Sequence, residues 1–200
     1  CDSYVLRKKT PGRPYVYPAL YRFLYCCGAR CGEARHLRCE NVHLSDGYLD
    51  ILQSKGHRDR RLFLSDELIS YLIEYDCAIR NCFPKREYFF PGPSGNIISA
   101  SSIPFNFRKI WLAAGLKRDG EIKPRPYDFR HHFACANIAR WAKEKKDVIS
   151  MLPYLMRYMG HSSLEKTYYY VHLIPDYFAD YAAATENLES LLPEVEPYEI

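Results

Sequence analysis

Two hundred residues suffice for one domain with a buried core, or for one domain with a tail. The 28 Lys and Arg only slightly outnumber the 24 Asp and Glu, but from Asp176 onward there are seven acids and no Lys or Arg, so the first 175 residues carry a net +11. A body that basic suits a polyanionic partner, while the absence of any apolar run near ~20 residues argues against a membrane span.

No secretory signal opens the chain, so it reads as cytoplasmic. The eight cysteines show neither Cys-x-x-Cys nor paired Cys/His spacing, which points to free thiols and to no metal. Residues 1–17, "CDSYVLRKKTPGRPYVY", are basic and Pro-containing and read as a linker or arm. The chain opens without Met, as a fragment of something longer would. A helix "PALYRFLYC" follows with Pro18 in its first turn, Gly28 ends it, and "ARCGEARHLR" resumes as a second short helix. The stretch "NVHLSDGYLDILQSKGHRDRRLFLS" predicts a three-stranded antiparallel meander. Asp46-Gly47 supplies its tight turn, and "SKGHRD" supplies a looser basic one.

"SDELISYLIEYDCAIRNC" predicts a helix capped by Ser65 that buries Leu68, Leu72, Tyr75 and Ile79. "PGPSGN" is a loop, and 101–114 form a further helix. The segment opening "KPRPYDFRHHF" runs on as a helix with Phe129, Phe133 and Trp141 apolar. Ser162 and Glu165 have the spacing of a capping box for a helix starting near Ser163. On that helix Leu164, Tyr168 and Val171 share an apolar stripe, which places Tyr168 in the core. The acidic tail keeps a stripe at Ile174, Phe178, Tyr181, Leu188 and Leu191, and so needs a partner surface. Its own domain and a neighbouring subunit both satisfy that need.

Four separated pieces carry the chemistry: "CCGARCGE", "SKGHRDR", "PYDFRHHFA" and "MGHSSLEKTYYYVH". In this order and at these intervals they resemble the tyrosine recombinase (phage integrase) family over about residues 18 to 175. The resemblance implies a mainly α-helical catalytic domain with a small antiparallel β-sheet (α+β) over 18–175. The arm remnant 1–17 precedes it and the acidic amphipathic tail 176–200 follows. Arg30 matches the first active-site arginine and Glu33 the acid that supports the site. Lys55 matches the lysine of the mobile hairpin, Arg130 the second arginine, His161 the histidine, and Tyr170 the nucleophile. Two features depart from the family. Tyr127 stands where its box histidine belongs, and the DNA-binding domain that normally precedes this one is absent.

The chemistry explains the residue types. Exchanging a phosphodiester without hydrolysis requires an enzyme nucleophile, and a tyrosine oxygen can serve and later be displaced. Two planar guanidiniums can grip the non-bridging oxygens of the transition state, so neither metal nor ATP is expected. His161 adds a third hydrogen bond, Tyr127 can bond a phosphate oxygen, and Lys55 would protonate the leaving 5′ oxygen. Arg58, Arg60 and Arg61 are read as DNA phosphate contacts. His131, His132 and His172 are read as structural or supporting.

Each match also has a bland reading. Arg30 could cap carbonyls near Gly28, Arg130 could pair with Asp128 or Glu144, and the basic hairpin could simply be solvated. Tyr169 and Tyr170 are separated only by the family's spacing, which selects Tyr170. The resemblance implies a bacterial or mobile-element recombinase that integrates, excises or resolves double-stranded DNA, tetrameric on DNA and monomeric when free, without membrane contact. A type IB topoisomerase and a non-catalytic DNA-binding regulator on the same fold are the alternatives.

Overall fold

The computed structural model describes residues 11–52, 59–116 and 124–171. Helix α1, Arg13–Cys27, is the central element: Val16, Tyr17, Ala19, Leu20, Tyr21, Phe23, Leu24 and Cys27 are all buried along it. It begins five residues before the expected start. Pro14, rather than Pro18, occupies the first turn, where a missing N–H is harmless. Pro18 lies inside the helix and forfeits one backbone bond. Residues 13–17 therefore belong to the packed body and not to an arm. The helix ends at Gly28 with φ 57°, where a Cβ would meet the Phe133 ring at 2.6 Å, so both conformation and space require glycine.

Helix α2, Cys31–His36, follows at once. Strands β1 (Val42–His43), β2 (Tyr48–Ile51) and β3 (Arg60–Phe63) form the expected antiparallel meander in the order β1-β2-β3. Val42 pairs with Leu49, and Leu49 with Leu62. Leu49, Ile51 and Leu62 are buried on the inner face. The first connection differs from the tight turn expected at Asp46-Gly47. His43 pairs directly with Tyr48, and the four residues between them make a 3₁₀ turn, Leu44–Asp46, closed by Gly47. The "SKGHRD" turn lies almost entirely outside the described residues.

Helix α3, Asp66–Cys82, matches its prediction. Ser65 accepts from the Leu68 N–H, and Leu68, Leu72, Tyr75 and Ile79 are its buried residues. Helix α4, Ser102–Ala113, buries Ile103, Phe107 and Ile110. With α1, the sheet and the start of α2 these elements enclose one hydrophobic core.

A second core joins α5 (Asp128–Lys143), α6 (Val148–Met159) and the residues Tyr170 and Val171. In α5 the buried residues are Arg130, Ala134, Ile138 and Trp141, while Phe129 and Phe133 are only partly buried. Helix α6 is not anticipated by the sequence reading. It buries Val148, Leu152, Leu155 and Met159 in spite of Pro153, and Asp147 caps it by accepting from Ile149 and Ser150. The helix expected from Ser163 shrinks to one turn, α7, Glu165–Tyr168. Its capping box does not form: Leu164 precedes the helix without a side-chain cap, and the Ser162 hydroxyl instead receives Lys166.

Among the described residues, no helix is long and apolar enough to cross a membrane and no metal-ligating cluster occurs. The seven described cysteines are free thiols.

Candidate active site

The site forms where the two cores meet, and the C-terminus of α6 organises it. The last carbonyls of any helix lack intrahelical partners and carry the negative end of its dipole. Gly160 closes α6 with φ 65°, and the His161 N–H returns to the Met156 carbonyl. The Arg157 carbonyl accepts the Gly160 N–H, and the three carbonyls after it each receive a different arginine. Arg60 Nε donates to Tyr158 O at 2.6 Å, Arg130 Nη2 donates to Met159 O, and Arg30 Nη2 donates to Gly160 O at 3.0 Å. Three guanidiniums that would otherwise repel one another are thus gathered on one helix end.

Glu33 supplies the counter-charge. Its two oxygens take a fork from Arg60, Nη1 to Oε1 at 2.9 Å and Nη2 to Oε2 at 2.8 Å. The same oxygens accept Arg30 Nη1 at 2.7 Å and the Arg30 backbone N–H at 2.8 Å. Burial works to raise the Glu33 carboxyl, but the hydrogen bonds and charge of Arg60, and then the hydrogen bonds of Arg30, outweigh it and hold the carboxyl at about 2. Burial, with the nearby Arg30 charge, lowers Arg130 to about 10, which still leaves it charged at neutral pH. Arg130 is 1% exposed, and its Nη1 also donates to Gly28 O at 2.7 Å. It is therefore Arg130, not Arg30, that caps α1. Asp128 and Glu144 pair with Arg125 and Lys146 instead.

Arg30, Arg130, His161, Tyr127 and Tyr170 line one open depression of about 450 Å³. His161 is buried, and its Nδ1 lies 2.8 Å from the Thr167 hydroxyl. Burial and then the charges of Arg130 and Arg30 push the imidazole down to about 4, so it is neutral at pH 7. The Tyr170 ring stacks on His161, centroids 6.0 Å apart and planes 16° apart, and meets His131 on another side at 5.5 Å. Burial raises its phenol, and the Arg130 charge partly offsets that rise. Tyr127, 47% exposed, meets His131 edge-on at 5.0 Å.

The tyrosine run is arranged differently from the expected stripe. Tyr170 is 3% exposed, Tyr169 is 55% exposed, Leu164 is exposed, and Tyr168 is only partly buried. Because α7 lasts one turn, a helical phase carried from Ser163 to Val171 loses its meaning.

Arg60 differs from its expected place on DNA. Its side chain is 6% exposed and fully engaged inside the protein. Arg61 is 47% exposed, paired with Asp50 at 2.9 Å and seated over the Tyr48 ring. Lys55, Arg58 and His172 lie outside the described residues. His132 stacks on Tyr25 at 4.9 Å. The sequence reading did not single out Thr167, the hydroxyl partner of His161, or Lys166, and it took Glu165 only as a capping residue; Lys166 and Glu165 both line the depression.

The family model described as the phage integrase family matches residues 8–176. The chain belongs to the phage integrase family. A Sinorhizobium fredii relative, y4rE, whose name assigns it provisionally to the integrases/recombinases, is 32% identical over 165 residues, which are 80% of this chain and 52% of that protein. The tyrosine recombinase XerC of Lactobacillus delbrueckii subsp. bulgaricus is 28% identical over 175 residues, 84% of this chain and 55% of its own. The chain thus spans about half the length of the curated relatives it matches. Among solved structures, the XerH site-specific recombinase bound to a palindromic difH substrate aligns with TM-score 0.68 at 23% identity, over 92% of this chain and 49% of that one. XerA recombinase aligns with TM-score 0.66 at 21% identity, over 90% and 58%. These two share with the integrase-family chain its mainly helical fold and small sheet.

Proposed function

We propose that this chain is the catalytic part of a site-specific recombinase that cuts and rejoins double-stranded DNA through a 3′-phosphotyrosyl link at Tyr170. The observation that carries the reading is the meeting of Arg30, Arg130, His161 and Tyr170 around one depression. Arg30, Arg60 and Arg130 bring three positive charges and Glu33 removes one, which leaves an excess suited to a phosphodiester and its more highly charged transition state. Two N–H groups of Arg130 are held by carbonyls, and those that remain of the five can meet non-bridging oxygens.

In the proposed step the Tyr170 oxygen attacks phosphorus as its proton passes to solvent water in the open depression, and the P–O5′ bond breaks. Neutral His161 and the Tyr127 hydroxyl hydrogen-bond the equatorial oxygens. Lys55 delivers the proton to the departing O5′. The bond energy stays in the phosphotyrosyl link, so rejoining needs no ATP. Self-association to a tetramer on DNA, from a free monomer, belongs to the same proposal.

The test is covalent capture. Full-length protein is denatured on host DNA, protein-linked fragments are sequenced, and the recovered site is rebuilt as a nicked duplex. Adduct at one defined site, with exchange between two such sites, supports the recombinase. Relaxation of a single supercoiled plasmid without a paired site would favour the topoisomerase reading. The absence of adduct at any sequence would favour a non-catalytic regulator.

A further inference from the structure

The Arg60 side chain is only 6% exposed and does not line the depression, yet it spends its whole guanidinium on the site. Its fork to Glu33 places both carboxylate oxygens, and those oxygens in turn hold the Arg30 side chain and the Arg30 backbone N–H. Its Nε fixes the Tyr158 carbonyl, two residues before the carbonyl that holds Arg30. It also packs beneath Gly160: a Cβ there would lie 3.0 Å from Arg60 Nη1. Strand geometry explains the burial, because alternation puts Arg60 on the inner face with Leu62 and sends Arg61 outward.

We infer that Arg60 is a positioning residue that sets the Arg30 guanidinium through Glu33 and the end of α6, and not a DNA contact. The inference rests on the recombinase reading of the depression. Only a planar fork can hold both oxygens of Glu33 while also reaching a carbonyl, so lysine can replace it only in part. Removal of Arg60 would leave Glu33 with Arg30 alone and free the pair to turn away from the depression.

The experiment compares wild type, Arg60→Met, Arg60→Lys and Arg80→Met in the full-length protein. Inorganic phosphate is the probe for the depression, followed through the His161 ring signals by NMR. A non-specific 30-base-pair duplex is titrated across salt concentrations in parallel.

Arg60→Met is expected to weaken phosphate binding by about tenfold, the effect of losing one well-placed charged hydrogen bond. Its Glu33 titration should move upward, Arg60→Lys should recover part of the loss, and Arg80→Met, at an exposed arginine paired with Asp76 on α3, should leave phosphate binding unchanged. The salt slope of duplex binding should not change in Arg60→Met, whereas a direct phosphate contact would lower it by about 0.9.

Phosphate affinity within twofold of wild type in Arg60→Met, or a slope reduced by one contact, would overturn the inference. If Arg60→Met does not fold, Arg60→Lys decides by the same two readouts. Loss of wild-type phosphate binding in Arg130→Met shows that the site reading stands even where Arg60 proves inert. A wild type that binds no phosphate removes both.

Discussion

Replacing Glu33 with glutamine tests the electrostatic core of the site. The Glu33 side chain is 5% exposed, and its carboxyl sits at about 2 against an ordinary value of 4.5. At about 1.4 kcal/mol per pH unit, a gap of about 2.5 units corresponds to about 3 kcal/mol of stability from ionised Glu33. Because the folded value is depressed, this contribution is present in full above pH 4.5 and declines as pH falls toward 2. At pH 3 it amounts to only about 1.4 kcal/mol. An independent argument gives a similar size: removing one partner of a buried ion pair costs about 3–5 kcal/mol.

Glutamine keeps one acceptor oxygen but turns an NH₂ group toward guanidinium N–H donors. Urea unfolding of wild type and Glu33→Gln at pH 7 and pH 3 provides the assay. The variant should be less stable by about 3 kcal/mol at pH 7 and by less than half of that at pH 3. A loss under about 1 kcal/mol at pH 7, or the same loss at both pH values, would refute the reasoning.

Three further outcomes follow from the same geometry. The His161 ring should titrate near pH 4 by NMR and move upward when inorganic phosphate is added, since a bound anion opposes the arginine charges; a midpoint at the ordinary 6.5 would contradict the placement. Gly160→Ala should cost about 1–2 kcal/mol in thermal or urea unfolding, from a left-handed backbone angle made worse by the Arg60 contact. Lys166→Ala, by contrast, removes an exposed cation that lines the depression. It should weaken non-specific duplex binding and reduce the salt slope by about 0.9.

The elements that the sequence declares locally are those that appear as expected. The α3 stripe is legible because a serine cap and four apolar residues at helical spacing all agree. The meander is legible from alternation, and the same alternation contains the signal that Arg60 shares the inner face with Leu62. A count of basic residues in the hairpin hides that signal. Helix α6 is obscured by Pro153, although Asp147 and the stripe from Val148 to Met159 outweigh the lost bond.

The burial of Tyr170 cannot be read by continuing a helical phase, because α7 stops after one turn and the chain turns inward to meet His161. The gathering of three arginines on one helix end is tertiary. Arg30, Arg60 and Arg130 come from three different elements, and only packing brings them to successive carbonyls.

The central claim is that Tyr170, and not its exposed neighbour Tyr169, becomes bonded to DNA. Protease digestion of the captured protein–DNA adduct, followed by mass spectrometry of the nucleotide-bearing peptide, reads this directly. The account predicts the modification on Tyr170, retained in Tyr169→Phe and lost in Tyr170→Phe. A nucleotide found on Tyr169 or Tyr168, or an adduct that persists in Tyr170→Phe, would contradict it.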